Sequence, residues 1–350
     1  TGNNLPANPI GRLAATDNEQ VRIYLNKVKE YEGKLKNPAT NEDLYWRKEI
    51  IHSAGGIPAG FPGAEGFDLI LDDLKKEIIK TDWQPLVTST NKASSDIIQG
   101  SVSNIIINKI NSGVSIHTYL GHGAVSATEI GLDDPDLFDN TGKYPISFSL
   151  GCNSGNIHTT GFSLSEAFIF SPKGSISYLS SSAVGTDGGY RTYGLKLYPI
   201  IGNTYYTRSI GEQHYAALRL MDTKNNSDVT SVSLVQQMAI HGDPAIQINY
   251  YDVPDFTIDE KSFKTDPSNI FTDQDSFTLK FTLWNLGKKH NQPVKYTIDH
   301  ILANGTIYSY DYLVLFDSTF KKIVARLPLP PLSEGVNTIH IKIDPDNVVP

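Results

Sequence analysis

The period of the apolar residues changes once along this 350-residue chain, near Val253-Pro254. Before this point, short apolar runs alternate with stretches in which apolar residues recur at helical spacing. After it, apolar and polar residues alternate strictly, as in residues 277–283, because successive side chains of a β-strand point to opposite faces. One chain therefore carries two architectures, and we predict domains at residues 1–252 and 253–350.

The first segment predicts an α/β domain. Strand-like runs occur at residues 45–53, 86–88, 114–120, 146–150, 175–180 and 245–250. Helical spacing occurs after Asp17, which can cap a helix, and at residues 67–79, 97–110, 164–170 and onward to about 240. Strands separated by helices of this length favour a mostly parallel sheet covered by helices.

The second segment predicts an all-β domain. Its alternating runs are separated by turn signals such as Asn304-Gly305, and it contains no long helical pattern. Period two over a segment of this length is typical of a β-sandwich.

Composition narrows the function classes. Apolar residues make up 39% of the chain and charged residues 19%, as in an ordinary globular protein. The net charge of -8 gives no electrostatic affinity for phosphates, so we do not expect nucleic-acid binding. The chain has no apolar run of about 18 residues that would predict a membrane span. It opens on polar residues without an initiator Met and is interpreted as a fragment, so a missing signal peptide does not indicate a location.

Cys152 is the only cysteine. An intramolecular disulfide and a zinc site built on several thiolates are therefore excluded. Any thiol chemistry of this chain must take place at Cys152.

A histidine and the cysteine each follow an apolar strand. Residues 114–120 run into His122, and residues 146–150 run into Cys152. Ligands of open parallel sheets bind beyond the carboxyl ends of the strands. A free thiol is mostly protonated near pH 7, so a nucleophilic cysteine needs a base beside it. The two positions thus suit a Cys-His dyad.

Glycines surround both residues. Gly121 and Gly123 flank His122, and Gly151 precedes Cys152. Glycine lets the backbone approach a substrate closely, and the N–H groups of Gly123 and Cys152 can form an oxyanion hole, where each donor is worth about 2.7–4 kcal/mol. The alternatives stay open: a lone cysteine is also typical of a small buried side chain, and a histidine between glycines is typical of an ordinary loop.

Several stretches, taken together and in order, resemble the catalytic half of the gingipain-type cysteine peptidases, which have a caspase-like fold. They are residues 9–13, 24–28, 119–123, 147–152, 165–166, 173–176 and 241–245. Residues 281–287 are similar to the immunoglobulin-like modules that follow such domains. The resemblance implies a caspase-like α/β domain followed by an immunoglobulin-like sandwich.

The resemblance also implies a mechanism. His122 corresponds to the catalytic histidine and Cys152 to the nucleophile, which cleaves a peptide bond through an acyl-enzyme. No cofactor is required for this chemistry. Gingipains place an acid near the histidine from the loop after an earlier strand; here residues 52–56 lack a carboxylate, and Glu65 or Asp68 can serve instead. Both acids also suit an ordinary helix start.

Two further features remain ambiguous. Asp187 is a candidate for the recognition of a basic substrate side chain, but an Asp before Gly-Gly is also typical of a turn. Asp133, Asp134, Asp136 and Asp139 can coordinate a structural calcium ion, although their spacing differs from that of an EF-hand. A solvated acidic loop is the simpler interpretation of this cluster.

The resemblance extends to partners and location. It implies a polypeptide substrate, a secreted or cell-surface location, and contact with bacterial secretion machinery or a surface anchor. Two rivals remain: a sortase-like transpeptidase with an amine as acceptor, and a catalytically inactive binding or adhesion module. A serine hydrolase is disfavoured because residues 180–182 lack a Gly-x-Ser-x-Gly elbow.

Overall fold

The computed structural model describes residues 4–36, 38, 40, 42–56, 66–92, 96, 98–222 and 229–349. The chain forms two compact units, Thr1–Tyr250 and Tyr251–Pro350.

A seven-stranded sheet forms the centre of the first unit. Its strands are β1 (Gly11–Arg12), β2 (Glu49–Ala54), β3 (Leu86–Asn91), β4 (Ile116–Leu120), β5 (Ile146–Leu150), β6 (Ser177–Ser181) and β7 (Met238–Gly242). They lie in the order β1-β7-β6-β5-β4-β2-β3. The five strands from β6 to β3 are parallel to one another, and β7 is antiparallel to β6.

Helices cover both faces of this sheet. They are α1 (Asn18–Lys36), α2 (Glu42–Tyr45), α3 (Phe67–Ile78), α4 (Asn104–Ser112), α5 (Leu164–Phe170), α6 (Asp187–Pro199), α7 (Ile210–Met221) and α8 (Val229–Gln237). One apolar cluster joins the sheet to α3, α6, α7 and α8, and a second joins it to α4 and α5. The clusters take alternate residues of a strand, Ile50 and Ile51 for example, so both faces are buried. The predicted mostly parallel sheet covered by helices is confirmed.

The last strand of this sheet differs from the prediction. Residues 238–242 form β7 where helix was expected, because their backbone pairs with β6. Residues 245–250 were expected to form a strand, yet only Gln247 makes a bridge, to Ser209. Ile246 and Ile248 are buried in the core, so their alternation reports burial rather than strand pairing.

Side chains cap the starts of two helices, and one of the two begins later than predicted. Helix α4 begins at Asn104 rather than near residue 97, because the Ser103 side chain accepts the N–H of Ile105 and caps the helix there. In α1, the Asp17 side chain accepts the N–H of Gln20 and caps the start as predicted.

The second unit consists of antiparallel strands. They are β8 (Phe256–Asp266), β9 (Ser276–Asn285), β10 (Val294–Ile301), β11 (Ile307–Val314), β12 (Phe320–Pro328) and β13 (Thr338–Ile343). They form two three-stranded sheets, β12-β9-β8 and β11-β10-β13. Apolar side chains of both sheets share one core, where the rings of Phe281 and Tyr296 lie 6.0 Å apart. This is the predicted sandwich of sheets; its immunoglobulin-like class stays a prediction.

Candidate functional site

The two residues of the predicted dyad follow neighbouring strands. β4 and β5 pair in parallel register up to Leu120 and Leu150, their last residues. His122 and Cys152 each come two positions later. Their loops therefore leave the same edge of the sheet side by side.

Glycines bring the two loops into backbone contact. A Cβ atom added at Gly123 would lie 2.9 Å from the carbonyl oxygen and 3.2 Å from the nitrogen of Cys152. A Cβ atom added at Gly151 would lie 3.2 Å from the carbonyl oxygen of Gly121. Real Cβ atoms rarely approach other atoms so closely, so this packing depends on glycine at both positions.

The backbone of His122 is held from two sides. Its N–H donates to Oε1 of Glu129 at 2.9 Å, and its carbonyl oxygen accepts the hydroxyl of Tyr119 at 2.5 Å. His122 is exposed, and its ring and that of Phe67 form a T-shaped pair with 5.4 Å between centroids. The backbone is thus fixed while the ring stays open to solvent.

Glu129 was missed by the sequence analysis. Its side chain is only 4% exposed, and its Oε2 lies 3.6 Å from Nζ of Lys92, which is 7% exposed. The carboxylate fills the space beside Gly55, just after β2, and touches Gly121. It therefore occupies the region where an acid from the loop after an earlier strand was expected. No local signal marks it, because Glu129 lies in an irregular segment seven residues after the histidine.

A short hairpin follows His122. The N–H of Ala124 donates to the carbonyl oxygen of Ala127 at 2.9 Å, and the N–H of Glu129 donates to that of His122 at 3.4 Å. Gly123 and Thr128 lie opposite each other between these two bonds. In such a non-hydrogen-bonded pair the N–H groups point away from the partner strand. The N–H of Gly123 is therefore directed away from the hairpin.

Cys152 is half-buried. Its Sγ lies 3.7 Å from the carbonyl oxygen of Gly185, in the loop after β6. Gly185 packs against Tyr190 of α6, where an added Cβ would lie 2.4 Å from the phenol oxygen. Burial raises the pKa of Tyr190 far above its usual range, so this phenol stays neutral. The thiol thus lies beside a backbone carbonyl that packs against a neutral phenol.

The other predicted site residues, Glu65, Asp187 and Asp68, stay predictions. Glu65 lies outside the described residues. Asp187 is exposed in the first turn of α6, and its Oδ1 accepts the N–H of Gly188 at 2.9 Å. This local hydrogen bond is typical of a turn, which was the alternative interpretation of Asp187. Asp68 is exposed in the first turn of α3.

The acidic cluster has local partners. Oδ1 of Asp133 accepts the N–H of Thr128 at 2.6 Å, and Oδ1 of Asp134 accepts the N–H of Asp136 at 2.8 Å. Across the described part of the chain, no three or more His, Cys, Asp or Glu side chains converge as metal ligands. Structural calcium stays a prediction.

Within the described ranges, no helix is both long and apolar enough to cross a bilayer.

The chain was compared with known proteins. The model of peptidase family C25 matches residues 1–249. No curated protein sequence matches the chain.

Solved structures provide a second comparison. The Arg-specific cysteine proteinase gingipain R is similar at 14% identity and a TM-score of 0.57, over 95% of this chain and 71% of that one. The complex of the pro- and mature domains of RgpB from Porphyromonas gingivalis is similar at 14% identity and a TM-score of 0.59, over 97% of this chain and 78% of that one. A structure described as a protease is similar at 13% identity and a TM-score of 0.56, over 98% of this chain and 76% of that one. At these identities the likeness shows the fold.

The family match covers the whole first unit apart from its last residue, and the fold agrees with it. The chain belongs to peptidase family C25 and is a cysteine-type peptidase, whose substrates are polypeptides.

Proposed function

We propose that this peptidase cleaves internal peptide bonds with Cys152 as nucleophile and His122 as general base. One observation carries the proposal: the loops of the only cysteine and of His122 touch backbone to backbone at Gly123. A base must lie beside a thiol to accept its proton. The open position of the imidazole supports the same role, because a substrate has to reach it.

The proposed reaction has two steps. The thiol proton passes to the His122 imidazole while Sγ bonds to the substrate carbonyl carbon. The C–N bond then breaks, and the imidazolium gives its proton to the leaving amine. Water next attacks the thioester, with His122 again as base. The C–S bond breaks, the acid product leaves, and the His122 imidazolium returns its proton to the sulfur, which restores the thiol of Cys152.

The N–H groups of Gly123 and Cys152 are the proposed oxyanion donors. The hairpin directs the Gly123 N–H away from Thr128, and Gly123 packs on Cys152. Two such donors on one side of the nucleophile suit the negative charge that develops on the carbonyl oxygen.

Alkylation of Cys152 tests the dyad. Iodoacetamide reacts with the thiolate, and the chain has no second thiol to confuse the signal. We expect His122→Ala to lower the alkylation rate at pH 6 at least about tenfold and peptide cleavage about 100-fold or more. His158→Ala is the matched control, because His158 is exposed in the loop after Cys152.

Other results would contradict the proposal. Equal alkylation of wild type and His122→Ala would remove His122 as the base. A thiol that reacts only after denaturation would indicate an inactive binding module. New amide products with added amine acceptors, in place of hydrolysis, would indicate a transpeptidase.

The proposal includes export. Its support is the resemblance to gingipain-type peptidases, which implies a secreted or cell-surface location and a partner in the secretion machinery or a surface anchor. Proteinase K added to intact cells of the native host should degrade a surface-exposed chain; protection until lysis would contradict this location.

A further inference from the structure

A small cavity lies beside His122, and we call it the His122 pocket. Its walls include Ile98, His122, Ala124, Ala127 and Glu129, and its volume is about 240 Å³. This is below the roughly 300–1,000 Å³ of pockets that hold drug-sized ligands. The size suits a single side chain.

The walls of the pocket are mainly apolar. Ile98 is 58% exposed, and the two alanines supply small methyl surfaces. The carboxylate of Glu129 already accepts the His122 N–H and lies near the Lys92 ammonium. Its charge is thus compensated within the protein, and the pocket favours an apolar occupant over a cationic one.

The position of the pocket indicates which part of a substrate reaches it. In the proposed reaction, His122 gives its proton to the leaving nitrogen, so the residue that carries this nitrogen lies against the imidazole. The described walls come from Ile98 and from the hairpin that begins at His122, on the histidine side of the site. The side chain of the substrate residue that directly follows the cleaved bond therefore faces the hairpin.

We propose that the His122 pocket binds an apolar side chain on the residue that directly follows the cleaved bond. This inference rests on the proposed function and deepens it. The peptidase selects polypeptides with a residue such as Leu, Val or Met at that position. Selection at the residue before the bond is a separate matter.

Cleavage of a randomised peptide library tests the inference. Mass spectrometry of the new N-terminal residues reads the selected side chain directly. We expect apolar residues to exceed Asp and Lys by about tenfold, which is the scale of discrimination in apolar pockets. Ala124→Phe should fill the pocket and reduce this preference. Ser126→Phe is the matched control, because Ser126 is exposed in the same hairpin and is not a wall of the pocket.

Peptidyl methyl esters, randomised in the acyl part, separate this inference from the proposed function. Their leaving group is methanol, which carries no side chain. We expect Ala124→Phe to lower peptide cleavage about tenfold more than ester hydrolysis. Ester hydrolysis that needs Cys152 and His122, together with new N-termini that show no apolar preference, would overturn the pocket assignment alone. If Cys152→Ala still cleaved both the peptides and the esters, the proposed function and this inference would both be overturned.

Discussion

Oε1 of Glu129 lies 2.9 Å from the backbone nitrogen of His122 and accepts its hydrogen bond. A buried carboxylate thus fixes the backbone of the proposed base rather than its ring. Hydrogen bonds to charged groups contribute about 1.5–3 kcal/mol. The position of His122 above the sheet therefore depends on a side chain from outside its own strand.

Removal of this contact should impair catalysis. We expect Glu129→Ala to lower kcat/KM by about 10–100-fold, because the histidine loop loses its anchor. Glu129→Gln keeps an oxygen acceptor and should retain most of the activity. Steady-state kinetics together with a thermal melt separate the effect from unfolding. Equal activity of Glu129→Ala and wild type would show that Tyr119 and Phe67 suffice to hold His122.

The contact between the two loops should not tolerate a methyl group. In Gly123→Ala the Cβ would lie 2.9 Å from the Cys152 carbonyl oxygen, so one backbone must move. We expect peptide cleavage to fall at least about 100-fold, since small misplacements of catalytic groups cost this much. Gly161→Ala is the control, because an added Cβ there meets no atom within 4 Å. Full activity of Gly123→Ala would rule out the close packing.

The first unit should lose stability in acid. Burial lowers the pKa of His52 to about 3 and the pKa of His117, His214 and His241 to about 4. An unfolded histidine has a pKa of about 6.5, so the unfolded chain binds more protons below that value. These neutral histidines contribute their full stability above pH 6.5 and lose it as the pH falls toward 4.

Denaturant titrations between pH 4 and 8 measure this effect. The free energy of unfolding should decrease below pH 6.5, with a slope that reflects proton uptake on unfolding. His117→Asn should reduce the slope by about one proton, because one buried neutral histidine is removed. A flat profile between pH 4 and 6.5 would contradict the neutral state of the buried histidines.

Lys27 should be important for stability. Its side chain is 1% exposed, and its Nζ donates to the carbonyl oxygens of Phe168, Ile169, Ser171 and Lys173 at 2.8–3.2 Å. These groups lie at and just after the carboxyl end of α5, where helix carbonyls lack intrahelical partners. Burial lowers the pKa of Lys27, and the nearby Glu30 carboxylate opposes this shift.

We expect Lys27→Met to lower the free energy of unfolding by about 3 kcal/mol, because several buried carbonyls lose their donor. Lys29→Met, on the exposed face of the same helix, should change it by less than about 0.5 kcal/mol. Urea denaturation compares the two variants. An equal decrease in the free energy of unfolding of both variants would show that the four contacts of Lys27 contribute little to stability.

The sequence predicted the parts of the fold that local patterns determine. The bounds of β5 and α5 agree with the prediction, because an apolar run and a capped helical pattern mark them. The residues that end β4 and β5 could also be read from the chain. Glu129 could not, since nothing near it in sequence indicates that it fills the space beside Gly55.

The buried face of α1 illustrates a second limit. In the sequence, apolar residues recur at helical spacing at positions 21, 24, 25 and 28, which predicts that they share one buried face. Val21 and Leu25 are nevertheless 45% and 48% exposed. Lys27 is buried in their place, because the end of α5 offers it carbonyl oxygens. A contact with a distant element overrides the apolar pattern here. The same reason applies to β7, whose strand pairing with β6 is decided by tertiary contact.

The pairing of β1 with β7 has a consequence for the time course of folding. Gly11 lies opposite Ile240, so this edge of the sheet joins chain segments that are far apart in sequence. β4 and β5 are close neighbours along the chain, and contacts of short sequence separation form faster. In pulse-labelled hydrogen exchange, amides of β4 and β5 should therefore gain protection before those of β1 and β7. The loops of His122 and Cys152 would then meet while the far edge of the sheet is still open.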